Sequence, residues 1–495
     1  MIEAPNSNYL HDYSTAIAKL ESDPSNQGFK YQAVLALARM GSTDFAQSEY
    51  RRYDLDKVRQ NEDIMSLAGR LSKDLYLQSS GKTALEHARD SALKYELAYK
   101  ETKGYYSGVN AATMALLADM PWDMVKDRVN TILELLPKTE KLLPKDHYFI
   151  EATRAECFLI LGEISSTKES LRDAIEFDPL NYTAHASTLK QFRIILDKRA
   201  TDNSWLDAFK PPRPVHFAGH IWQHPDKLGE NLPLRLSDTI QSNDIGFAYG
   251  ALAAGADIMI AEALLSEGVE VNFILPTDVE TFIAKSVRPF GEAWVPRFNN
   301  CIEQSHSVTQ LPLDESSSFE ARTMLAAHMA MGQAILRSQT LQVEPRQLLI
   351  NDPRLQNSLT ARHKSDWAET PFPTIDITVQ HEIKDDHTHS LRSETISVLL
   401  SRSDNDAVEK YDDLDAAMNA ISKSKADKHG LHLDIGAADK ELMRLMNHNQ
   451  KGNILVSESV ASLAALKFGK RFDIVFAGIA SKASERAVRC YNLKA

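Results

Sequence analysis

The stretch Gly246–Pro276, GFAYGALAAGADIMIAEALLSEGVEVNFILP, constrains the fold more than any other: a glycine-rich turn leads into an amphipathic helix and then into a buried strand. Gly250, Gly255 and the small residues Ala251, Ala253, Ala254 and Ala256 predict backbone amides left uncovered where a helix begins, where an anion docks without meeting a Cβ. Asp257 and Glu262 lie beside them. Upstream, PVHFAG at Pro214–Gly219 reads as a strand that stops at Gly219-His220. In open α/β sheets ligands sit outside the carboxyl ends of strands, so the two loops are expected to face one crevice.

These residues resemble the SLOG superfamily, which includes the Smf/DprA proteins and the lonely-guy phosphoribohydrolases, over roughly Arg213 to Val379. The likeness is carried by FAGH at Phe217–His220, YGALAAGAD at Tyr249–Asp257, EALLSEGVEVNFILP at Glu262–Pro276, Ser286-Val287, WVPRF at Trp294–Phe298, LLINDPRL at Leu348–Leu355 and SLTA at Ser358–Ala361. It is closest to the SLOG-like module of bacterial proteins that also carry tetratricopeptide repeats and nucleotide-cyclase domains. The resemblance implies a Rossmann-like domain that binds a nucleotide or nucleotide derivative. The lonely-guy enzymes carry a second Pro-Gly-Gly-x-Gly-Thr-x-x-Glu loop, where this chain has NSLTARHKSDW without the glycines or the glutamate. Binding is therefore expected rather than that family's hydrolysis.

Length and composition frame the rest. A chain of 495 residues is too long for one core, and its 43% hydrophobic and 25% charged residues are ordinary for folded protein. A net charge of −12 argues against general nucleic-acid binding, which needs a positive footprint. Three dispersed cysteines, Cys157, Cys301 and Cys490, offer neither a disulfide framework nor a zinc motif. The N-terminus lacks the charged lead and apolar core of a signal peptide, and no apolar run is long enough to span a membrane, so a cytoplasmic location is expected.

From Tyr9 to about Asp197 apolar residues recur three and four apart, which predicts helix throughout. Ala155, Phe158, Gly162, Leu171, Ala174 and Pro179 fall at the spacing of a tetratricopeptide repeat, with divergent repeats at Tyr31–Arg51 and Tyr95–Leu117. YYSGVNAATMALL at Tyr105–Leu117 resembles the helical repeats of the TRAF-binding region of stress-activated kinases. Stacked helix pairs offer a surface for a protein partner. WLDAFKPPRP, Trp205–Pro214, reads as an extended proline-rich connector.

After a polar stretch, HEIKDDHTHSLRSE, strands are expected at Thr395–Ser401, Leu431–Gly436 and from Asn453, with helices at Tyr411–Ala426 and up to Leu466, and closing strands in FDIVFAGI and AVRCYNL. This order resembles the second half of a class III adenylate/guanylate cyclase. Such cyclases hold two metal ions on two aspartates. Here Ser401 and Arg402 stand at the first position, no Asn-x-x-x-Arg helix fits AADKELMRLMNHNQK, and Asp404, Asp406, Asp412 and Asp413 are only solvated substitutes. The resemblance thus implies a degenerate, inactive cyclase-like domain, with head-to-tail homodimers as its form of association.

The expected architecture is a multidomain α plus α/β chain: tetratricopeptide-like helices over residues 1–204, a linker over 205–213, a SLOG-like domain over 214–380, a linker over 381–392 and the cyclase-like α+β domain over 393–495. The expected ligand site comprises Gly219, His220, Gly250, Ala251, Gly255, Asp257 and Thr360, with Arg297 as a phosphate partner or a cover for Trp294. Asp257 is either a ribose ligand or a helix cap. An enzymatic alternative, a nucleotide N-glycosidase or phosphoribohydrolase, would use Glu262 or Asp352, and a third reading is a pure helical scaffold. No metal motif is present and no cofactor is implied beyond the nucleotide ligand.

Overall fold

The computed structural model describes residues 8–137, 144–222, 231–311, 317–379, 398–402, 405–423, 431–435, 454–481 and 487–494. The chain divides into two compact units, with Met1–Pro211 the body of one and Pro212–Phe476 with Ala480–Ala495 forming the other.

The first unit is helical: α1 Tyr9–Ser22, α2 Gln27–Arg39, α3 Thr43–Arg52, α4 Glu62–Gln78, α5 Gly81–Thr102, α6 Tyr105–Leu117, α7 Trp122–Leu135, α8 Pro144–Leu161, α9 Ile164–Phe177 and α10 Tyr182–Lys198. Asparagines set several starts: Asn8, Asn26, Asn61 and Asn181 each accept a hydrogen bond from the amide three residues on, satisfying a donor the helix leaves open. Small residues let neighbours touch. A Cβ at Gly69 of α4 would meet the Tyr95 ring of α5 at 2.6 Å, and one at Gly108 of α6 would meet Ile132 of α7 at 2.2 Å. Ala155, Leu171 and Ala174 are fully buried around the α8–α9 turn, where Gly162 has φ +89. The connector read as extended is not so throughout: Ser204–Phe209 is a 3-10 helix. Leu206 is buried in the helical core, and that burial outweighs the extended preference of the prolines that follow.

The second unit contains two six-stranded sheets. The first is parallel, built from β1 Arg213–Gly219, β2 Ile245–Gly250, β3 Glu270–Leu275, β4 Ser307–Gln310, β5 Arg346–Asn351 and β6 Thr374–Thr378, in the order β4-β3-β2-β1-β5-β6. β1, β3 and β5 are buried along nearly their whole length, as strands covered on both faces must be. The covering helices are α11 Leu232–Ser242, α12 Ala256–Ser266, α13 Val279–Phe282, α14 Trp294–Gln304, α15 Phe319–Leu341 and α16 Leu359–Ala368.

The second sheet is mixed, with β7 Val398–Arg402, β8 Asn405–Tyr411, β9 Leu431–Ile435, β10 Ile454–Ser457, β11 Asp473–Ser481 and β12 Ala487–Lys494 in the order β11-β12-β10-β9-β7-β8. Its helices are α17 Leu414–Lys423 and α18 Glu458–Phe468. Ser457 caps α18 by accepting from the Val460 amide. α18 lies against α15 so closely that a Cβ at Gly332 would stand 2.0 Å from Ser462 O. Asp413 accepts from the Ala416 amide at 2.8 Å and so caps α17 rather than standing as a substitute metal ligand. Asp404, the AADKELMRLMNHNQK segment and the 381–392 linker lie outside the described residues, as do the side chains of Ser401, Arg402 and Asp406.

Candidate functional site

The chain lays down β1 to β4 outward in one direction, then returns to place β5 on the other side of β1. The strand order therefore reverses between β1 and β5, the position at which open α/β sheets hold a ligand, outside the carboxyl ends of these two strands. Gly219-His220 and Asn351-Asp352 stand at this point. His220, 5% exposed, points its ring at Asn351, with Nε2 donating to Asn351 Oδ1 at 3.3 Å. Asp352 is fully buried and accepts from Arg354 through the backbone amide at 3.0 Å and through Nε at 2.9 Å, while the Arg354 side chain is 49% exposed. The carboxylate raises the guanidinium pKa still further and fixes where its charge stands. Thr360, in the first turn of α16, is buried behind this loop, and Ser358 caps that helix through the Ala361 amide.

The β2 loop approaches from the other side. Asp257 begins α12 but does not cap it. Its Oδ1 accepts from the Gly219 amide at 2.8 Å and its Oδ2 from the Ala253 amide at 3.1 Å, so one carboxylate ties the β1 and β2 loops together. Burial pushes its pKa up from 3.8 to about 7, against the two amides that favour the ionised form.

The glycines play a different part from the one expected. A Cβ at Gly219 would meet Ala256 Cβ at 2.2 Å, at Gly250 it would meet Phe217 O at 2.7 Å, and at Gly255 it would meet Trp222 N at 2.4 Å. The space spared by each missing side chain is filled by the protein itself. Several amides expected to be uncovered are also taken: Ala254 N donates to Ser286 O at 2.9 Å and Ala256 N to His220 O at 3.0 Å. Small residues here bring loops together, and only Ala251 and Ala253 of the turn stay partly exposed.

Glu262 and Arg297 are used on each other. Arg297 Nε donates to Glu262 Oε1 at 2.7 Å, its Nη2 reaches the second oxygen, and the guanidinium lies 4.5 Å from the Trp294 ring centroid. This joins α12 to α14. Glu262 and Asp352 are thus each engaged by an arginine. Sequence reasoning missed Asn351 and Arg354. The signal available was NDPR directly after an apolar run, a polar and a cationic residue at a strand's carboxyl end.

Among the described residues no group of three or more His, Cys, Asp or Glu side chains is placed to hold a metal ion, and no helix is long and apolar enough to cross a membrane. Residues 12–115 match the family model described as Tetratricopeptide Repeats-Sensor, a span running from α1 into α6. Within the helical N-terminus, residues 12–115 are therefore tetratricopeptide repeats. The match falls on the repeats that looked divergent. A search of curated proteins returns no match.

Proposed function

We propose that this chain is a sensor in which a SLOG-like parallel-sheet domain binds a nucleotide or nucleotide-derived ligand and the tetratricopeptide repeats engage a protein partner. The observation that carries the reading is the half-exposed Arg354 guanidinium, held by Asp352 beside His220 where the strand order reverses. A planar, donor-rich cation so fixed suits a phosphate, and the α12 N-terminus, coming after the β2 loop, adds a favourable dipole. Asp257 ties the β1 loop, one wall of the site, to the β2 loop and acts on the ligand through it.

The mixed second sheet, read as a cyclase-like domain without its metal chemistry, supplies the surface against which α15 packs. Ligand binding would shift the balance between arrangements of these elements by the difference in affinity for each. The described catalytic candidates are engaged in arginine pairs, which favours a sensor over a glycosidase.

Titrating the full chain calorimetrically with ADP-ribose, NAD and a nucleoside-monophosphate set tests the reading. One member is expected to bind, with Arg354→Gln weakening it roughly tenfold or more, the worth of a charge-assisted hydrogen bond. Equal affinity in wild type and Arg354→Gln would place any binding elsewhere.

A further inference from the structure

Four helices of the repeat array, α4, α6, α8 and α10, converge on a polar cluster that the sensor reading leaves unused. Arg70 and Lys73 stand one turn apart on α4. Lys73 Nζ donates to Asn110 Oδ1 of α6 at 3.1 Å, a neutral acceptor. The Arg70 guanidinium, 20% exposed, comes only within 3.8 Å of Asp74, beyond hydrogen-bond reach. The facing carboxylate, Glu156 of α8, is occupied by neutral donors, Thr113 Oγ1 at 2.5 Å and Gln191 Nε2 of α10 at 2.9 Å.

Burial lowers the Lys73 pKa from its usual 10.5, with Arg70 and the exposed Lys190 opposing its charge while Glu156 and Asp74 support it. Tyr95 and Tyr106 meet edge to face at 6.3 Å within the field of Arg70, which also reaches Tyr31. The Lys73 ammonium gives its hydrogen bond to a neutral amide, while Glu156 and Asp74 support its charge through space. Lys73 and, one turn away, Arg70 with its long ion pair to Asp74 and its tyrosine wall have the donors of an oxyanion site.

We infer that this cluster binds the phosphoryl group of a small phosphorylated ligand between Arg70 and Lys73, with the tyrosines against the remainder of the molecule. The site is separate from the crevice at β1 and β5 and lies wholly within the helical unit.

The test uses the full chain and pyrophosphate, titrated calorimetrically at constant ionic strength against chloride. Wild type is expected to bind it, Lys73→Met, which keeps the stem's packing, to lose roughly tenfold or more in affinity, and Arg354→Gln to retain this site. If Lys73→Met fails to fold, the exposed Lys190→Gln substitutes, with a loss of a few fold that shrinks as salt is added. Absence of pyrophosphate binding to wild type, or binding unchanged in Lys73→Met or in its substitute, would overturn the inference.

Discussion

Gly219 at the end of β1 donates its amide hydrogen to Asp257 Oδ1 across 2.8 Å, and this bond makes the β1 and β2 loops one structure. With Ala253 bonded to the other oxygen, the carboxylate is used by the backbone on both sides. Its removal should loosen the crevice without removing a ligand contact.

The pH dependence of Asp257 follows from its raised pKa. The folded chain holds this proton up to about pH 7, the unfolded chain only to its usual 3.8, so the stability it contributes is complete below about 4 and lost as pH rises to 7. The full swing is on the order of 4 kcal/mol. Denaturant unfolding followed from pH 4 to 7 should show wild type losing stability relative to Asp257→Asn, and parallel curves would refute the assignment.

His363 of α16 acts in the opposite sense. Both ring nitrogens are buried without a partner, and its neighbours are His216 of β1 with a ring centroid 5.7 Å away, His328 of α15 and Asp366, which itself bonds His328 at 2.8 Å. Burial, then His328, lowers its pKa from 6.5 to about 4, with Asp366 opposing. Its contribution is complete above about 6.5 and is lost as pH falls toward 4, a swing of roughly 3 kcal/mol. Relative to wild type, His363→Leu should gain stability as pH falls from 6.5 to 4, which leaves the opposing Asp257 slope exposed. Because Asp257 and His363 work against each other in one window, each single variant should reveal the slope that the other group masks in wild type.

Much of this architecture was readable in the residues. The helix and strand of Gly246–Pro276 appear as α12 and β3, whereas its start, read as part of a glycine-rich turn, is strand β2, paired on both sides with β1 and β3. The helical N-terminus was equally plain from spacing. What escaped was set by partners distant in sequence. β8, NDAVEKY, reads as loop because an edge strand needs only backbone pairing, here with β7. The repeats within residues 12–115 looked divergent because their close contacts use Gly69 against Tyr95 and Ser91 Oγ donating to Gly69 O at 2.8 Å, not alanines at the usual offsets. The glycines of the crevice were located, but whether ligand or protein fills the space beside a glycine depends on Trp222 and Phe217, which no local pattern reveals.

Gly332→Ala and Gly268→Ala separate close packing from backbone strain. A Cβ at Gly268 meets nothing within 4 Å but must adopt φ +74, a penalty of about 1 kcal/mol. At Gly332 alanine suits the helix, yet its Cβ would stand 2.0 Å from Ser462 O and force α15 and α18 apart. Overpacking of this kind costs about 1–3 kcal/mol. In urea titrations Gly332→Ala should be the more destabilised of the two, and the reverse order would show that the helices part easily.

Glu262→Gln distinguishes a structural pair from a catalytic acid. Its partner Arg297 shares the charge, and both side chains are about a third exposed, so the loss should be about 1 kcal/mol or less. Chromatography of nucleotides incubated with wild type and variant should show the same recovery of intact ligand. Free base formed by wild type and abolished by Glu262→Gln would favour the glycosidase.

The central claim is that the crevice beside Arg354 takes a nucleotide-derived ligand and returns it intact. The most direct measurement is a thermal-shift screen of the full chain against nucleotides, cyclic nucleotides, ADP-ribose derivatives and NAD, with chromatography of each hit. A ligand at 100 times its dissociation constant adds about 2.7 kcal/mol to the folded state. The account predicts a stabilising ligand recovered unchanged, its shift greatly reduced in Arg354→Gln. No shift across the panel, or one fully preserved in that variant, would contradict it.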